Sequence, residues 1–280
     1  MNTARKILNI LKFSSSLGNV QVLLRKIIEK VSEIGHDESE FALQWAHKKQ
    51  IPIDSWLQKV ERNLHLETIG AVETIRNHSQ ETIKQLQSSG IDLGGGGAID
   101  ILYFFTRLVK PHRVLETGVA AGWSSFAFLL AMERNKTGVL LSSDLPYFRI
   151  ANPERYIGIL VPDRYRSDNW QLELKGDQFN LPKLLDISKK LELVHYDSDK
   201  RKASRLAFLN TIEEFLADDA IVIMDDIQNN LAFREYVENR GLSYNVVKSE
   251  EKFVGVILKG KYRNLTLNMQ SLEEKNKLSG

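Results

Sequence analysis

The sequence predicts an α/β fold, in which a mostly parallel β-sheet is covered by helices on both faces and follows an all-helical N-terminal region. Up to residue 90, apolar residues recur at the three- and four-residue spacing of helices. After the glycine run at 94–97, short β-branched segments alternate with amphipathic ones, the pattern of parallel strands joined by helices. Hydrophobic residues make up 42% of the 280 residues and charged residues 26%, so neither wholesale disorder nor a coiled coil is expected.

Charge, cysteine content and apolar length exclude several classes of protein. The chain has 38 Lys and Arg against 36 Asp and Glu, a balance of +2 that argues against a nucleic-acid partner. It has no cysteine, which excludes disulfides, thiolate metal sites and cysteine nucleophiles and makes a reducing, cytoplasmic location the simplest expectation. The most apolar stretch, 98–109, is far shorter than the roughly 20 residues of a membrane span. The basic, amphipathic stretch 1–13 fits a helix packed on its own protein better than one lying on a membrane surface.

The first 90 residues are predicted to be helical. The spacing of apolar residues predicts a helix over 20–34, ended by Gly35. Further helices are expected over 37–49 and from Pro52 to about residue 86, the last broken near Gly70. No catalytic pattern occurs here, and we expect this region either to pair subunits in a homo-oligomer or to form a lid.

A seven-stranded sheet is predicted in a domain spanning 91–260. The expected helices are 98–109, 124–134, 178–189, 202–216 and 229–239. The expected strands are 112–117, 138–144, 170–176, 191–197, 220–226, 242–249 and 253–259. The last two strands are joined by a short charged turn, which predicts one antiparallel strand at the sheet edge. An irregular insert is expected over 145–169, and a loosely ordered polar tail over 261–280.

The segment after the first strand is a candidate ligand-binding bend, because ligands of open α/β sheets bind beyond the carboxyl ends of the strands. Gly118 permits a sharp strand-to-helix turn and Gly122 a close approach of the backbone to a ligand or the sheet. Free amides at the helix start, with the Ser124 hydroxyl, suit a carboxylate. Ala120 replaces the second glycine of a dinucleotide-binding motif, and no Gly-Lys-Ser/Thr of a phosphate loop follows. An ordinary turn without a ligand is the alternative.

Acidic residues also follow the next two strands. Asp144, after the second strand, can accept hydrogen bonds from both hydroxyls of a ribose. Gly176 and Asp177, after the third strand, are placed to meet an adenine edge. Each residue taken alone is better explained as a helix cap or a solvated loop acid, and it is the three in register that favour a nucleoside ligand.

The bend ETGVAAGWS, with an acid after the second strand, resembles the class I S-adenosylmethionine-dependent methyltransferases. Over about 90–260 the pattern is similar to the branch called methyltransferase-24, which implies a Rossmann-like sheet. The resemblance implies that the bend at 118–122 holds the methionine moiety of S-adenosyl-L-methionine and that Asp144 holds its ribose. It also implies that Glu116 and Ser124 lie near the methionine amino and carboxylate groups.

A second cluster of acids follows the fourth and fifth strands. Adjacent parallel strands would bring Asp197 close to Asp225 and Asp226. Two unit charges 4 Å apart repel by about 4 kcal/mol at an effective dielectric constant of about 20. Such a cluster needs protonation, a Lys or Arg neighbour, or a divalent cation, of which Mg²⁺, Mn²⁺ and Ca²⁺ suit oxygen ligands. Helix capping by Asp197 and Asp226 is the alternative.

The sequence DSDK at 197–200 is similar to the DxxK segment of the metal-dependent catechol and caffeoyl-coenzyme A O-methyltransferases. The resemblance implies that Asp197, Asp225 and Asp226 are metal ligands and that Lys200 is the general base. An Asp stands at 226 where those enzymes more often have Asn, which adds a negative charge. His195 is an alternative base, although its position in the strand favours packing on one sheet face.

The resulting prediction is an S-adenosylmethionine-dependent O-methyltransferase, assisted by Mg²⁺ or another divalent cation and acting on a small-molecule or sugar hydroxyl. Aromatic residues around the insert offer a wall for that acceptor: Tyr147, Phe148, Tyr156, Tyr165 and Trp170. Three alternatives remain: a methyltransferase-fold binding subunit without activity, a methyltransferase that needs no metal, and a metal-dependent glycosyltransferase that uses Asp197-Ser-Asp199.

Overall fold

A computed structural model describes residues 37–166, 169–187 and 190–267, with the single positions Asn9 and Val20. Apart from these two positions, the predicted N-terminal stretch 1–13 and the predicted helix over 20–34 lie outside the described residues, as does the tail after residue 267. Within the described part, no helix is long and apolar enough to cross a membrane.

The elements predicted for 91–260 are all present, with ends that differ by at most four residues. The helices are α1 (Ser39–Lys49), α2 (Ile53–Val60), α3 (Arg62–Ser88), α4 (Ile99–Val109), α5 (Trp123–Asn135), α6 (Asp177–Ile187), α7 (Lys202–Ile212) and α8 (Ala232–Asn239). The strands are β1 (Gln50–Ile51), β2 (Arg113–Thr117), β3 (Val139–Ser143), β4 (Trp170–Glu173), β5 (Leu191–Tyr196), β6 (Leu216–Met224), β7 (Ser243–Ser249) and β8 (Lys252–Leu258). Within the described residues of the insert, 145–166 and 169, the helical segments are short 3₁₀ turns, at Pro153–Tyr156 and Asp163–Tyr165.

The sheet confirms the predicted fold class and corrects two details of it. Its strand order is β1-β7-β8-β6-β5-β2-β3-β4, which is eight strands and not seven. The additional strand, β1, comes from the helical region and pairs in parallel with β7 through Gln50 and Val246. The antiparallel strand is β8, which lies between β6 and β7 and not at the edge. A two-residue strand has no periodicity to detect, and the order of paired strands depends on contacts distant in sequence.

Each face of the sheet carries its own apolar core, as expected of a sheet covered on both sides. One face packs on α2 to α5 around buried Trp56, Phe104 and Phe128. The other packs on α1 and α6 to α8 around Trp45 and Phe233. The N-terminal helices therefore share the cores of the sheet.

Helix α3 corrects the predicted break near Gly70. The helix runs unbroken from Arg62 to Ser88, because burial of Ala71 and Ile75 against the core offsets the roughly 1 kcal/mol cost of a helical glycine. The break lies earlier, at Glu61, whose carboxylate accepts the backbone N–H groups that begin α3.

A partly buried ion-pair network fastens α3 to the helices of the sheet. Glu67 on α3 binds Arg107 of α4 at 2.8 Å and Arg134 of α5 at 3.1 Å. The hydrogen bond from Arg107 is the main reason that the pKa of Glu67 falls to about 2. This network and the shared core fix α3 beside the start of α5.

We predict that Gly255→Ala destabilises the protein. Gly255 lies on β8, and a Cβ there would lie 2.6 Å from Cε1 of buried Phe233. Overpacking of this kind costs about 1–3 kcal/mol, so thermal unfolding should occur several degrees lower.

The matched control is Gly70→Ala, where a Cβ in the middle of α3 meets no atom within 4 Å. It should be neutral or stabilise by about 0.5–1 kcal/mol. Equal melting temperatures for Gly255→Ala and the unmodified protein would contradict the described packing of Phe233.

Candidate functional site

The predicted site residues gather at the carboxyl ends of five neighbouring strands, β6, β5, β2, β3 and β4. The ladder between β2 and β5 continues one residue beyond the strands, where Asp197 N–H donates to Thr117 O at 2.9 Å. Asp225 N–H likewise donates to Tyr196 O at 3.0 Å. These backbone bonds align the segments that carry the predicted functional groups.

The bend after β2 combines three residues of positive φ: Gly118 at 86°, Ala120 at 47° and Gly122 at 98°. A Cβ on Gly118 would lie 2.6 Å from the backbone carbon of Asp197, and one on Gly122 would lie 2.7 Å from Cα of Gly158. Both glycines therefore permit close contact with the protein's own backbone. Ala120 holds a left-handed conformation that costs an L-residue about 1–3 kcal/mol, a strain that sequence analysis did not predict.

Asp144 ties the end of β3 to this bend. Its carboxylate accepts the backbone N–H of Ala120 at 2.7 Å and that of Leu145 at 2.6 Å. Burial is the main cause that raises the pKa of Asp144 to about 6. Each carboxylate oxygen can accept more than one hydrogen bond, so these contacts leave capacity for hydroxyl groups of a ligand.

Gly176 and Asp177 stand beside Asp144 at the start of α6. Gly176 N–H donates to Asp144 O at 2.9 Å, and Asp177 accepts the hydroxyl hydrogens of Ser143, at 2.6 Å, and of Ser198. Asp177 thus links the end of β3 to the segment that follows β5. Its assignment to an adenine edge stays a prediction.

Glu116 is a fully buried carboxyl group below the bend. One oxygen, Oε2, accepts the hydroxyl hydrogens of Ser125 and Ser142, each at 2.7 Å. The other, Oε1, has no hydrogen-bond partner within the part of the chain that the structure describes. Burial is the main cause that raises the pKa of Glu116 above its ordinary value. Ser124, which begins the neighbouring helix with Trp123, is also buried.

The three predicted metal ligands converge, but lysines lie among them. The ammonium group of Lys200 pairs with both Asp197 and Asp226. A second ammonium group, on Lys252, lies 4.0 Å from Asp197 Oδ2 and 3.7 Å from Asp226 Oδ2. Sequence analysis missed Lys252, because β8 reaches the cluster only through its place inside the sheet.

Burial and charge together set the protonation states in this cluster. Burial, followed by the charge of Asp225, raises the pKa of Asp197. Burial acts the same way on Asp226, but Lys200 and Lys252 outweigh it and lower that pKa. Burial opposes the charge of Lys200, yet Asp197 and Asp226 raise its pKa. Lys200 is therefore an ammonium ion at neutral pH, an arrangement that does not favour the predicted role of general base.

His195 packs on a sheet face, as the sequence indicated. It is 1% exposed, and its Nε2 lies 3.4 Å from Asp225 Oδ1. Burial opposes the charged imidazolium form, but Asp225 outweighs it and raises the pKa of His195. A ring so deeply buried is suited to positioning Asp225 and not to contacting an acceptor.

The carboxylates as placed do not fit a divalent cation. Among the described ranges, no three His, Asp or Glu side chains are grouped to share a metal ion. The position between Asp197 and Asp226 is taken by the ammonium group of Lys200. The predicted metal site therefore receives no support from this geometry.

The glycine run that precedes α4 packs directly on the site, a contact that sequence analysis did not predict. A Cβ on Gly96 would lie 2.7 Å from the Trp123 ring, and one on Gly97 would lie 3.7 Å from Asp225 Oδ2. Trp123 also forms one wall of a groove of about 360 Å³, whose other wall is α3. The N-terminal region therefore borders the site.

The predicted aromatic wall is only partly realised. Tyr147 is 40% exposed, and burial with the charges of Asp144 and Asp197 raises its pKa, which places it beside the site. Tyr165 instead packs on Phe126 with a centroid separation of 5.7 Å. Trp170 donates its indole N–H to Ser142 at 3.0 Å. Tyr165 and Trp170 therefore have partners within the protein, and their role as an acceptor wall stays a prediction.

Comparison with known proteins agrees with this architecture. Residues 115–227 match the methyltransferase-24 family model, described as a methyltransferase domain. The O-methyltransferase from Bacillus cereus, solved in complex with SAH, shares 12% identity over 65% of this chain and 91% of its own, with a TM-score of 0.52. A Staphylococcus aureus protein assigned as a caffeoyl-CoA O-methyltransferase shares 12% identity over 72% and 98%, also at 0.52. At these identities the likeness shows the fold alone. No curated protein matches the sequence.

We predict that stability depends on the titration of Asp144. Its pKa is about 6 in the folded protein, and that of an unfolded Asp is about 3.9. Between about pH 3.9 and about pH 6 the folded state binds a proton at Asp144 that the unfolded state has lost, so the stability of the folded state falls as pH rises through this window.

The Asp144→Asn variant lacks this titration. Urea denaturation should therefore show the stability of the unmodified protein, relative to Asp144→Asn, falling by about 1–3 kcal/mol from pH 4 to pH 7. A difference that is constant with pH would mean that the pKa of Asp144 is not raised.

Proposed function

Because residues 115–227 match the model of a methyltransferase-domain family, we propose that the protein transfers the methyl group of S-adenosyl-L-methionine to a hydroxyl oxygen of a small molecule. The observation that carries this proposal is the strained bend at 118–122, held by the carboxylate of Asp144. The bend lies within the part of the chain that matches the family model, so the sequence match and the local geometry concern the same residues.

The donor side of the site has groups of the right chemistry for this co-substrate. Oε1 of buried Glu116 has no partner among the described residues, and an ammonium group would satisfy it. Asp144 has capacity to accept hydrogen bonds from neighbouring ribose hydroxyls. We assign Gly118, Ala120, Gly122 and Ser124 to the methionine side and leave Gly176 and Asp177 at the adenine side.

The protein's own contribution to this reaction is alignment. S-adenosyl-L-methionine supplies a methyl group on a positively charged sulfur, which loses its charge when the methyl group leaves. The chain has to hold the acceptor oxygen in line with that carbon and exclude water around it. The backbone contact between Gly118 and Asp197 supports this role, because it joins the donor bend to the acidic cluster.

The acceptor side is the cluster of Asp197, Asp225, Asp226 and Lys200, with Tyr147 beside it. An ammonium group donates hydrogen bonds to an acceptor oxygen and stabilises the oxyanion that forms as the hydroxyl proton is lost. Lys200, protonated and held by two carboxylates, suits that role better than the role of base. We do not include divalent-cation assistance, because Lys200 engages two of the three candidate ligands, Asp197 and Asp226.

The glycosyltransferase alternative is less well supported. It needs Asp197 and Asp199 to act together on a metal–nucleotide complex. Asp199 instead receives the guanidinium group of Arg201, at 2.9 Å from Nε, and the hydroxyl hydrogen of Ser204, at 3.1 Å. Asp199 thus forms hydrogen bonds with residues at the start of α7.

We predict that calorimetric titration detects S-adenosylhomocysteine binding and that Asp144→Ala weakens it by at least about tenfold, or about 1.4 kcal/mol. The reason is the loss of both the ribose contacts and the support of Ala120. Asp186→Ala, which removes an exposed acid at the end of α6, should leave the affinity unchanged. Circular dichroism checks that both variants fold.

Methyl transfer itself is tested with S-adenosyl-L-methionine labelled on the methyl carbon and a panel of phenolic, sugar and aliphatic hydroxyl acceptors. No binding of S-adenosylhomocysteine by the folded protein would reject the proposal. Binding without transfer to any acceptor, together with retained partner binding by Asp225→Asn, would favour the inactive binding subunit. Binding of a nucleotide sugar instead would favour the glycosyltransferase.

A further inference from the structure

We propose that Lys200 and Lys252 supply, between Asp197 and Asp226, the positive charge that a divalent cation supplies in the metal-dependent O-methyltransferases this segment resembles. The acceptor site would then work with fixed ammonium groups and without a metal ion. This inference deepens the proposed function and rests on it.

The two lysines reach the carboxylates from independent elements. Lys200 follows β5 and pairs with Asp197 and Asp226 at once. Lys252 begins β8 and lies within 4.0 Å of the same two carboxylates. Each carboxylate therefore has two ammonium neighbours, and neither lysine depends on the other for its position.

The glycine run leaves room for the second lysine. A Cβ on Gly97 would lie 3.3 Å from Cδ of Lys252, closer than an ordinary contact, so a larger residue at 97 would press on the Lys252 side chain. Lys252 also belongs to a strand that is paired on both sides. The position of this ammonium group is thus set by the sheet and by the segment that covers it.

A buried arginine adds a third positive charge behind the cluster. Arg205 on α7 is fully buried, and its guanidinium nitrogens have no hydrogen-bond partner within the described ranges. Burial lowers the pKa of Arg205, while Tyr196 and the aspartates of the cluster oppose that effect. The cluster thus interacts electrostatically with a third cationic side chain besides the two lysines.

This balance removes the reason for a divalent cation to bind. Clustered carboxylates attract Mg²⁺ or Mn²⁺ because their mutual repulsion is otherwise uncompensated. Here a metal ion would have to displace the ammonium group of Lys200. It would then lie close to that group and to the ammonium group of Lys252, and both would repel it. An ammonium group has three N–H donors, so Lys200, with two aspartates bound, retains one for an acceptor oxygen.

The test is a Mn²⁺ titration of the full chain, with S-adenosylhomocysteine present, followed by the electron paramagnetic resonance signal of free Mn²⁺. The unmodified protein should bind no Mn²⁺ up to about 1 mM, a weak affinity for a metal site. The double variant Lys200→Gln/Lys252→Gln should bind at least about tenfold more tightly, because Asp197 and Asp226 then lack their ammonium partners beside the third carboxylate, Asp225. Lys248→Gln is the matched control, since this lysine of β7 pairs with Glu251, at 3.8 Å, and should change nothing.

Two results would overturn the inference. One is submillimolar Mn²⁺ binding by the unmodified protein that Asp226→Asn abolishes. The other is a folded double variant, checked by circular dichroism, that gains no affinity for Mn²⁺. If the double variant does not fold, the Mn²⁺ titration of the unmodified protein is the deciding result. The variant Lys200→Arg/Lys252→Arg, which keeps both positive charges, should then bind as little Mn²⁺ as the unmodified protein.

Failure of the proposed function gives a different pattern. S-adenosylhomocysteine binding is measured separately by calorimetry, so its absence rejects the donor assignment whatever Mn²⁺ does. S-adenosylhomocysteine binding combined with tight Mn²⁺ binding by the unmodified protein rejects only the role of the lysines. Methyl transfer, once an acceptor is found, should be unchanged by exhaustive chelation.

Discussion

The site depends on the packing of Gly118 against the backbone that follows β5. A side chain at 118 would meet the carbonyl group of Asp197, and Ser198 N would lie 3.0 Å from its Cβ. Gly118 N–H also donates to Ser143 O at 2.9 Å, so the bend is held to the neighbouring segments on both sides. The donor bend, the Asp144 carboxylate and the acidic cluster therefore occupy fixed positions relative to one another, as in-line transfer requires.

The polar groups of the site are placed at a cost to stability. Glu116 and His195 are paired in register across β2 and β5, and both are buried on the face that packs on α4 and α5. Buried charge is unfavourable unless it is paired, and here Glu116 Oε1 and the guanidinium group of Arg205 lack partners among the described residues. An unsatisfied carboxyl oxygen directly below the bend at 118–122 is typical of a functional site rather than of a structural core.

Most of the fold was predictable, because periodicity is a local property. Alternating strands and amphipathic helices in 91–260 were located to within a few residues, since a buried strand or helix face requires apolar residues at a fixed spacing. The fold prediction was wrong at positions where contacts between residues distant in sequence determine the structure. Gly70 stays helical because its neighbours are buried, Gln50–Ile51 joins the sheet through β7, and β8 enters between β6 and β7.

By itself, the sequence determined the α/β class, the glycine bend, the acids that follow each strand and the convergence of Asp197 with Asp225 and Asp226, because adjacent parallel strands end at one sheet edge. Only the tertiary structure decided what surrounds those acids. Lys200 bridges two of them, and Lys252 arrives from β8, a strand whose place in the sheet no local pattern specifies. The charge of a cluster depends on everything within a few ångströms, and those neighbours come from segments far apart in the chain.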